Sequence, residues 1–158
     1  MPKVHFIPSR QFRTFRQQIF DLSSKKVETG YFEESTYPDG PSVAMVATVQ
    51  EYGDVKGNIP PRPTLVPGIE GAKTDIRDAA LASAKQLASG AGTAEDLLNK
   101  VGVVSEGAVK SAISALTAPP LTEATIARKG FEKPLIETGL MIASVQHKLT
   151  DKNEEKGS

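Results

Sequence analysis

His5 and His147 are the only imidazoles in this 158-residue chain, and it has no cysteine. The missing thiols exclude a disulfide framework, a thiol nucleophile and every cysteine-based metal site. The two histidines stand near opposite ends of the chain, neither belongs to an HExxH-like ligand pattern, and both read as surface residues. Gly90, Gly92, Gly102 and Gly107 fit neither Walker nor dinucleotide-binding spacing. The paired acids Glu33 and Glu34, like Asp151 with Glu154 and Glu155, lie in polar stretches that leave them solvated. An enzyme needs a nucleophile with a base, a metal cluster or a phosphate cradle. The reading is therefore of a protein that is not an enzyme, with no cofactor and no metal.

Arginine carries the more specific signal. Arg62 stands in Asn58-Ile59-Pro60-Pro61-Arg62-Pro63, where the prolines pre-set the backbone and lower the entropy lost when a loop docks. Its planar guanidinium can then meet a carboxylate, either on a neighbouring subunit or within its own chain at Glu51. Arg10, Arg13 and Arg16 alternate with Phe12 and Phe15, a mixture that could grip phosphates. Yet Phe12, Phe15, Ile19 and Leu22 recur at spacings of three, four and three, which puts them on the buried face of an amphipathic helix. The candidate interface set is Glu51, Tyr52, Pro60, Pro61, Arg62, Pro63 and Leu65 with Arg10, Arg13 and Arg16.

Nineteen basic and nineteen acidic side chains cancel, so the molecule as a whole has no steering field for nucleic acid or anionic membrane. Their distribution is uneven. Residues 1–30 hold six bases against Asp21 and Glu28, whereas residues 31–55 hold five acids and no base. The two segments can pair within a subunit or between neighbours in a head-to-tail ring. With 39% hydrophobic residues, 6% aromatics and no tryptophan, the core must be thin, which suggests apolar surface reserved for partners. No apolar run approaches the roughly 18 residues of a spanning helix, and the start lacks a signal-peptide layout. Folding in the cytoplasm, without a membrane partner, is the expectation.

The elements that must position these residues follow from periodicity and punctuation. A helix is expected over about Ser9 to Ser23, a short strand over Lys26 to Glu33, and a turn at Pro38-Asp39-Gly40. Ser42 to Tyr52 has strand-like valines and threonine but reads as a helix, capped by Ser42 and stopped by Gly53. Four prolines and two glycines make residues 54–68 an extended arm, with Thr64 to Val66 as a short edge strand. Ala72 to Ser89 places Ala72, Ile76, Ala79, Ala80, Ser83 and Leu87 on one helical face. Thr93 caps a following helix that runs to about Thr117, with a bend or split expected near Gly102 to Gly107. A helical turn or two over Glu123 to Lys129, a short helix within Leu135 to Val145, and a strand over Ser144 to Leu149 complete the pattern. The whole is one α+β domain over residues 1–149, a small antiparallel sheet with an N-terminal amphipathic helix, two longer central helices and a Pro-rich loop at 54–68. Residues 150–158 form a mobile polar tail.

Three ordered stretches go beyond composition: Gln50-Glu51-Tyr52-Gly53 with Asn58 to Pro63; Pro120 to Gly130; and Lys133-Pro134-Leu135-Ile136-Glu137-Thr138-Gly139 running on to Val145. In this order the chain resembles the tail-completion and head-tail connector (neck) family of minor virion proteins from lambdoid tailed phages, over about Lys26 to Leu149. It departs at Thr64 and Leu65, where that family usually carries bulky aromatics. The resemblance implies a mixed α/β fold around an antiparallel sheet and assembly as a ring, hexameric by tail symmetry. It also implies a role in the virion, with other neck and tail proteins as partners, in joining a tail to a DNA-filled head. The basic first helix suggests an alternative, a module that contacts DNA passing through the ring lumen or acts as an adaptor.

Overall fold

The computed structural model describes residues 9–32, 35–38, 40–117 and 139–152. Among these residues the chain forms α1 (Arg10–Ser24), β1 (Lys25–Tyr31), α2 (Val43–Tyr52), α3 (Leu65–Gly71), α4 (Lys73–Ala88), α5 (Ala94–Ala115), α6 (Leu140–Ala143) and β2 (Val145–Asp151). This is the expected α+β arrangement: a small antiparallel sheet, an N-terminal helix and two longer central helices.

β1 and β2 pair antiparallel from Lys25 opposite Asp151 to Tyr31 opposite Val145. Strand alternation puts Val27, Thr29 and Tyr31 on the same face as Val145, His147 and Leu149. A two-stranded sheet is marginal alone, and α5 covers this face. Val27 and Leu149 pack with Leu22, Leu87, Leu97 and Leu98. Val145 packs with Val109 and Ile113, all three fully buried, each such burial contributing about 1.5–3 kcal/mol. A further cluster of Val43, Ala47 and Met141 joins α2 to α6, and Tyr31 touches both it and the Val145 group.

Local signals act as expected at most helix ends. Ser9 Oγ accepts from Phe12 N at 3.2 Å, and Ser42 Oγ accepts from Met45 N at 3.2 Å. Thr93 and Asp96 form a reciprocal capping box, Asp96 N to Thr93 Oγ1 at 3.1 Å and Thr93 N to Asp96 Oδ2 at 2.9 Å. Hydrogen bonds from the Thr93 side chain and backbone hold the Asp96 carboxyl below its ordinary value. Gly139 opens α6 in a left-handed conformation, φ 67°.

Four expectations are corrected. Thr64 to Val66 is not an edge strand: Leu65 begins α3, and Pro67 is tolerated because it sits in the first helical turn. α5 does not split, running as one helix through Gly102 and Gly107. The apolar stripe of α1 is not a buried face, since no residue of that helix is buried. The strand boundary expected at Leu149 moves outward, because β2 includes Thr150 and Asp151, and Lys152 N donates to Ser24 O at 2.8 Å. The turns expected over Glu123 to Lys129 and residues 135–138, and the tail beyond Lys152, lie outside the described residues.

Candidate functional site

The motif Gln50 to Gly53 with Asn58 to Pro63 closes into one unit. α2 ends at Gly53, φ 77°, where a Cβ would lie 2.8 Å from Ile59 O, so only glycine serves. Asp54 and Ile59 then exchange two backbone hydrogen bonds of 2.9 Å across a tight turn. Inside it Asp54 Oδ1 accepts from Lys56 N at 3.0 Å, and Asn58 takes the left-handed φ of 53°. The chain returns along α2, with Arg62 N donating to Gln50 O at 2.6 Å. The Glu51 carboxylate reaches the start of α3: Oε2 accepts from Thr64 N at 2.7 Å and Leu65 N at 3.0 Å, and Oε1 from Val66 N at 3.1 Å. Those amides are among the orphan donors of a helix N-terminus, so a residue thirteen positions upstream caps α3.

This arrangement replaces the Glu51–Arg62 pair considered from sequence. Glu51 serves α3, while Arg62 Nη1 bonds Gln50 Oε1 at 3.5 Å and is only 8% exposed. Arg62 is thus a buried scaffold residue and presents no fork to the surface. Tyr52, Pro60, Pro61 and Pro63 are exposed, and Leu65 and Glu51 are half-buried.

Beside this unit lies a groove of about 370 Å³ between the end of β1, α2 and the start of α3, with Tyr31, Phe32, Ala47, Thr48, Glu51 and Leu65 in its lining. The Tyr31 hydroxyl is buried and has no hydrogen-bond partner among the described residues. Burial, and next the Glu51 charge, push its ionisation well above the ordinary tyrosine range. At the groove's margin Glu28 accepts from Lys26 Nζ at 2.9 Å and Thr150 Oγ1 at 3.0 Å, which holds its carboxyl below the usual value.

α1 is the second candidate surface. It meets the body through α5, β1 and α4, and half-buried Gln18 and Leu22 mark its inner side, with Gln18 Oε1 accepting from Ala94 N at 2.6 Å. Phe12, Arg16, Ile19 and Phe20, offset by four, seven and eight positions, share the outer side, where Phe12, Ile19 and Phe20 are 49%, 46% and 64% exposed. Among the described residues no carboxylate stands in ion-pair range of Arg10, Arg13 or Arg16. The arginine set and the Pro-rich set are not brought together. β1 leaves α1 at Lys25 and enters the groove lining at Glu28, three residues or roughly 10 Å further on.

Sequence reasoning missed a polar cluster. His147, expected at the surface, is half-buried and lays its ring on the α5 backbone at Gly102, where a Cβ would lie 2.2 Å from His147 Cδ2. His147 Nδ1 and Glu106 Oε2 are 2.8 Å apart, and Lys110 Nζ donates to Glu106 Oε1 at 2.5 Å. Burial raises the Glu106 carboxyl, but the hydrogen bonds from Lys110 and His147 outweigh it and hold it below the ordinary value. The signal was a glycine inside a helical pattern, which marks close approach as readily as a bend. His5 lies outside the described residues.

Among the described residues no cluster of histidines and carboxylates could hold a metal ion, and no helix is long and apolar enough to cross a membrane. Comparison with protein-family models, curated proteins and solved structures finds no match to this chain.

Proposed function

We propose that this protein is a structural component of the tailed-phage neck, assembling as a hexameric ring that completes the tail and helps join it to the filled head. The observation that carries the reading is the ordered motif set. Its first member folds into a self-braced unit in which Gly53, Glu51 and the Asp54–Ile59 turn each hold a defined place. An exposed aromatic and arginine surface on α1 supports a role in assembly, since such residues are enriched at protein interfaces. Its partners are further copies of itself and other neck and tail proteins, in the virion and in the host cytoplasm during assembly.

The test is imaging of particles from cells in which the gene is silenced. Separate filled heads and tails are expected, and normally joined particles overturn the role. A second reading, contact with DNA through α1, is favoured by Arg10, Arg13 and Arg16, which have no ion-pair partner among the described residues. It expects salt-sensitive retention on DNA, and retention unchanged after replacing all three by Gln sinks it.

A further inference from the structure

We infer that the turn after α2, Asp54 to Ile59, is a knob that docks in the furrow between α4 and α5 of a second copy and so sets the register of the subunit boundary. This deepens the ring reading and rests on it.

The knob is built around exposed apolar side chains. Val55 at its tip is 99% exposed, and Tyr52 at its base is 75% exposed. Asn58 N donates to Val55 O at 3.4 Å, so Val55 opens a tight turn, a position where small polar residues serve best. Neither the core nor the turn has a use for a β-branched apolar residue there. The backbone that carries it is fixed on both sides, by the paired hydrogen bonds of Asp54 with Ile59 and by the bond from Arg62 N to Gln50 O. A tip ordered before contact loses little entropy on docking.

The furrow offers the matching socket. It encloses about 630 Å³ and is lined by Ala79 and Ala82 from α4 and by Val103 and Val104 from α5. The short alanine side chains leave it open, and Val103 is 61% exposed. Its volume admits a few anchoring side chains rather than a whole helix.

Charge chooses the occupant. Asp96 and Lys100 line the furrow four positions apart on α5, which puts them about 5–6 Å from each other on one face. The knob carries one acid and one base, Asp54 and Lys56, and residues of so tight a turn stand within about 7 Å. Laid across α5, Lys56 meets Asp96 while Asp54 meets Lys100. The groups have bonding capacity left for this. Asp96 commits Oδ2 to Thr93 and keeps Oδ1. Lys100 Nζ donates one of its three hydrogens to Gln86 Oε1 at 2.6 Å. Among the described residues no carboxylate stands in ion-pair range of Lys56. Two such pairs at a rim fix register more than they add affinity.

Val55 is too exposed to occupy the furrow of its own subunit, so the contact joins two copies. Knob and furrow are different surfaces, and the contact is therefore heterologous, propagating head to tail and closing where the rotation allows. A contact of this size is the anchor of a boundary whose remaining area comes from other surfaces.

The absence of native cysteine makes a test direct. Val55→Cys protein is mixed with Val103→Cys protein, full chains, and treated with a short thiol-specific cross-linker over a series of rising concentrations. A mixed dimer in excess over either self-dimer is expected. Adding Lys56→Glu to the first partner is expected to remove it, and adding Lys56→Arg to keep it. A control pairing Val55→Cys with Arg77→Cys, exposed on α4 and outside the furrow lining, should stay at background. Unfolding midpoints near wild type confirm that each variant is folded. A mixed dimer no stronger than the control, or one that Lys56→Glu leaves unchanged, overturns the docking. Rings seen by electron microscopy without the mixed product overturn the docking and leave the ring reading standing with another contact. The product without rings keeps the docking and overturns the hexamer.

Discussion

Gly102 and Gly107 occupy the same helix five residues apart and should respond oppositely to alanine. At Gly102 the added methyl meets the His147 ring, and overpacking of this kind costs about 1–3 kcal/mol. Nothing lies within 4 Å of a Cβ at Gly107, so helix propensity alone acts and Gly107→Ala should stabilise by about 0.5–1 kcal/mol. Urea unfolding of the two variants checks both signs. Glu106 gives a pH signature at the same site. Because its folded value is depressed, its contribution is present above the ordinary glutamate value of about 4.3 and lost as pH falls through the lower folded value. The stability gap between wild type and Glu106→Gln should therefore narrow below that pH, and a gap that widens on acidification contradicts the assignment.

At the scale of elements, α3 depends on a carboxylate outside itself. Its N-cap residue Thr64 makes no side-chain cap bond, and Glu51 supplies the acceptors instead. Glu51→Ala is expected to cost about 0.5–2 kcal/mol, with faster hydrogen exchange at the Thr64, Leu65 and Val66 amides. Exchange unchanged at those amides would show that α3 holds its first turn without Glu51. Glu51 and Arg62 entered the candidate set as interface residues, and their geometry is that of a brace for the exposed Tyr52, Pro60, Pro61 and Pro63. Loss of activity in Glu51 or Arg62 variants should accordingly track loss of stability.

For the whole molecule, the exposure of Phe12, Ile19 and Phe20 on α1 lets folding be tested apart from the proposed assembly. Phe12→Ser with Phe20→Ser touches exposed positions, where substitutions stay within about 0.5 kcal/mol each. Particle joining should nonetheless fail if α1 is an assembly surface, as scored by counting free heads and tails in micrographs. A loss of stability of several kcal/mol would instead mean that the ridge belongs to the subunit's own core.

Local signals in the chain itself determined where most elements begin and end. Ser9, Ser42 and Thr93 each bond the amide expected of an N-cap, and Gly53 ends α2 because its φ of 77° suits no other residue. These are interactions between residues a few positions apart, so spacing reveals them. Tertiary structure alone decided which faces are covered and which charges are spent. The periodicity of Phe12, Phe15, Ile19 and Leu22 specifies an apolar stripe, and only the placement of α5 leaves three of the four exposed. The capping of α3 by Glu51 and the seating of His147 on Gly102 join residues 13 and 45 positions apart. Such contacts exist only after the chain has folded back on itself, because their energy depends on packing that local sequence does not encode.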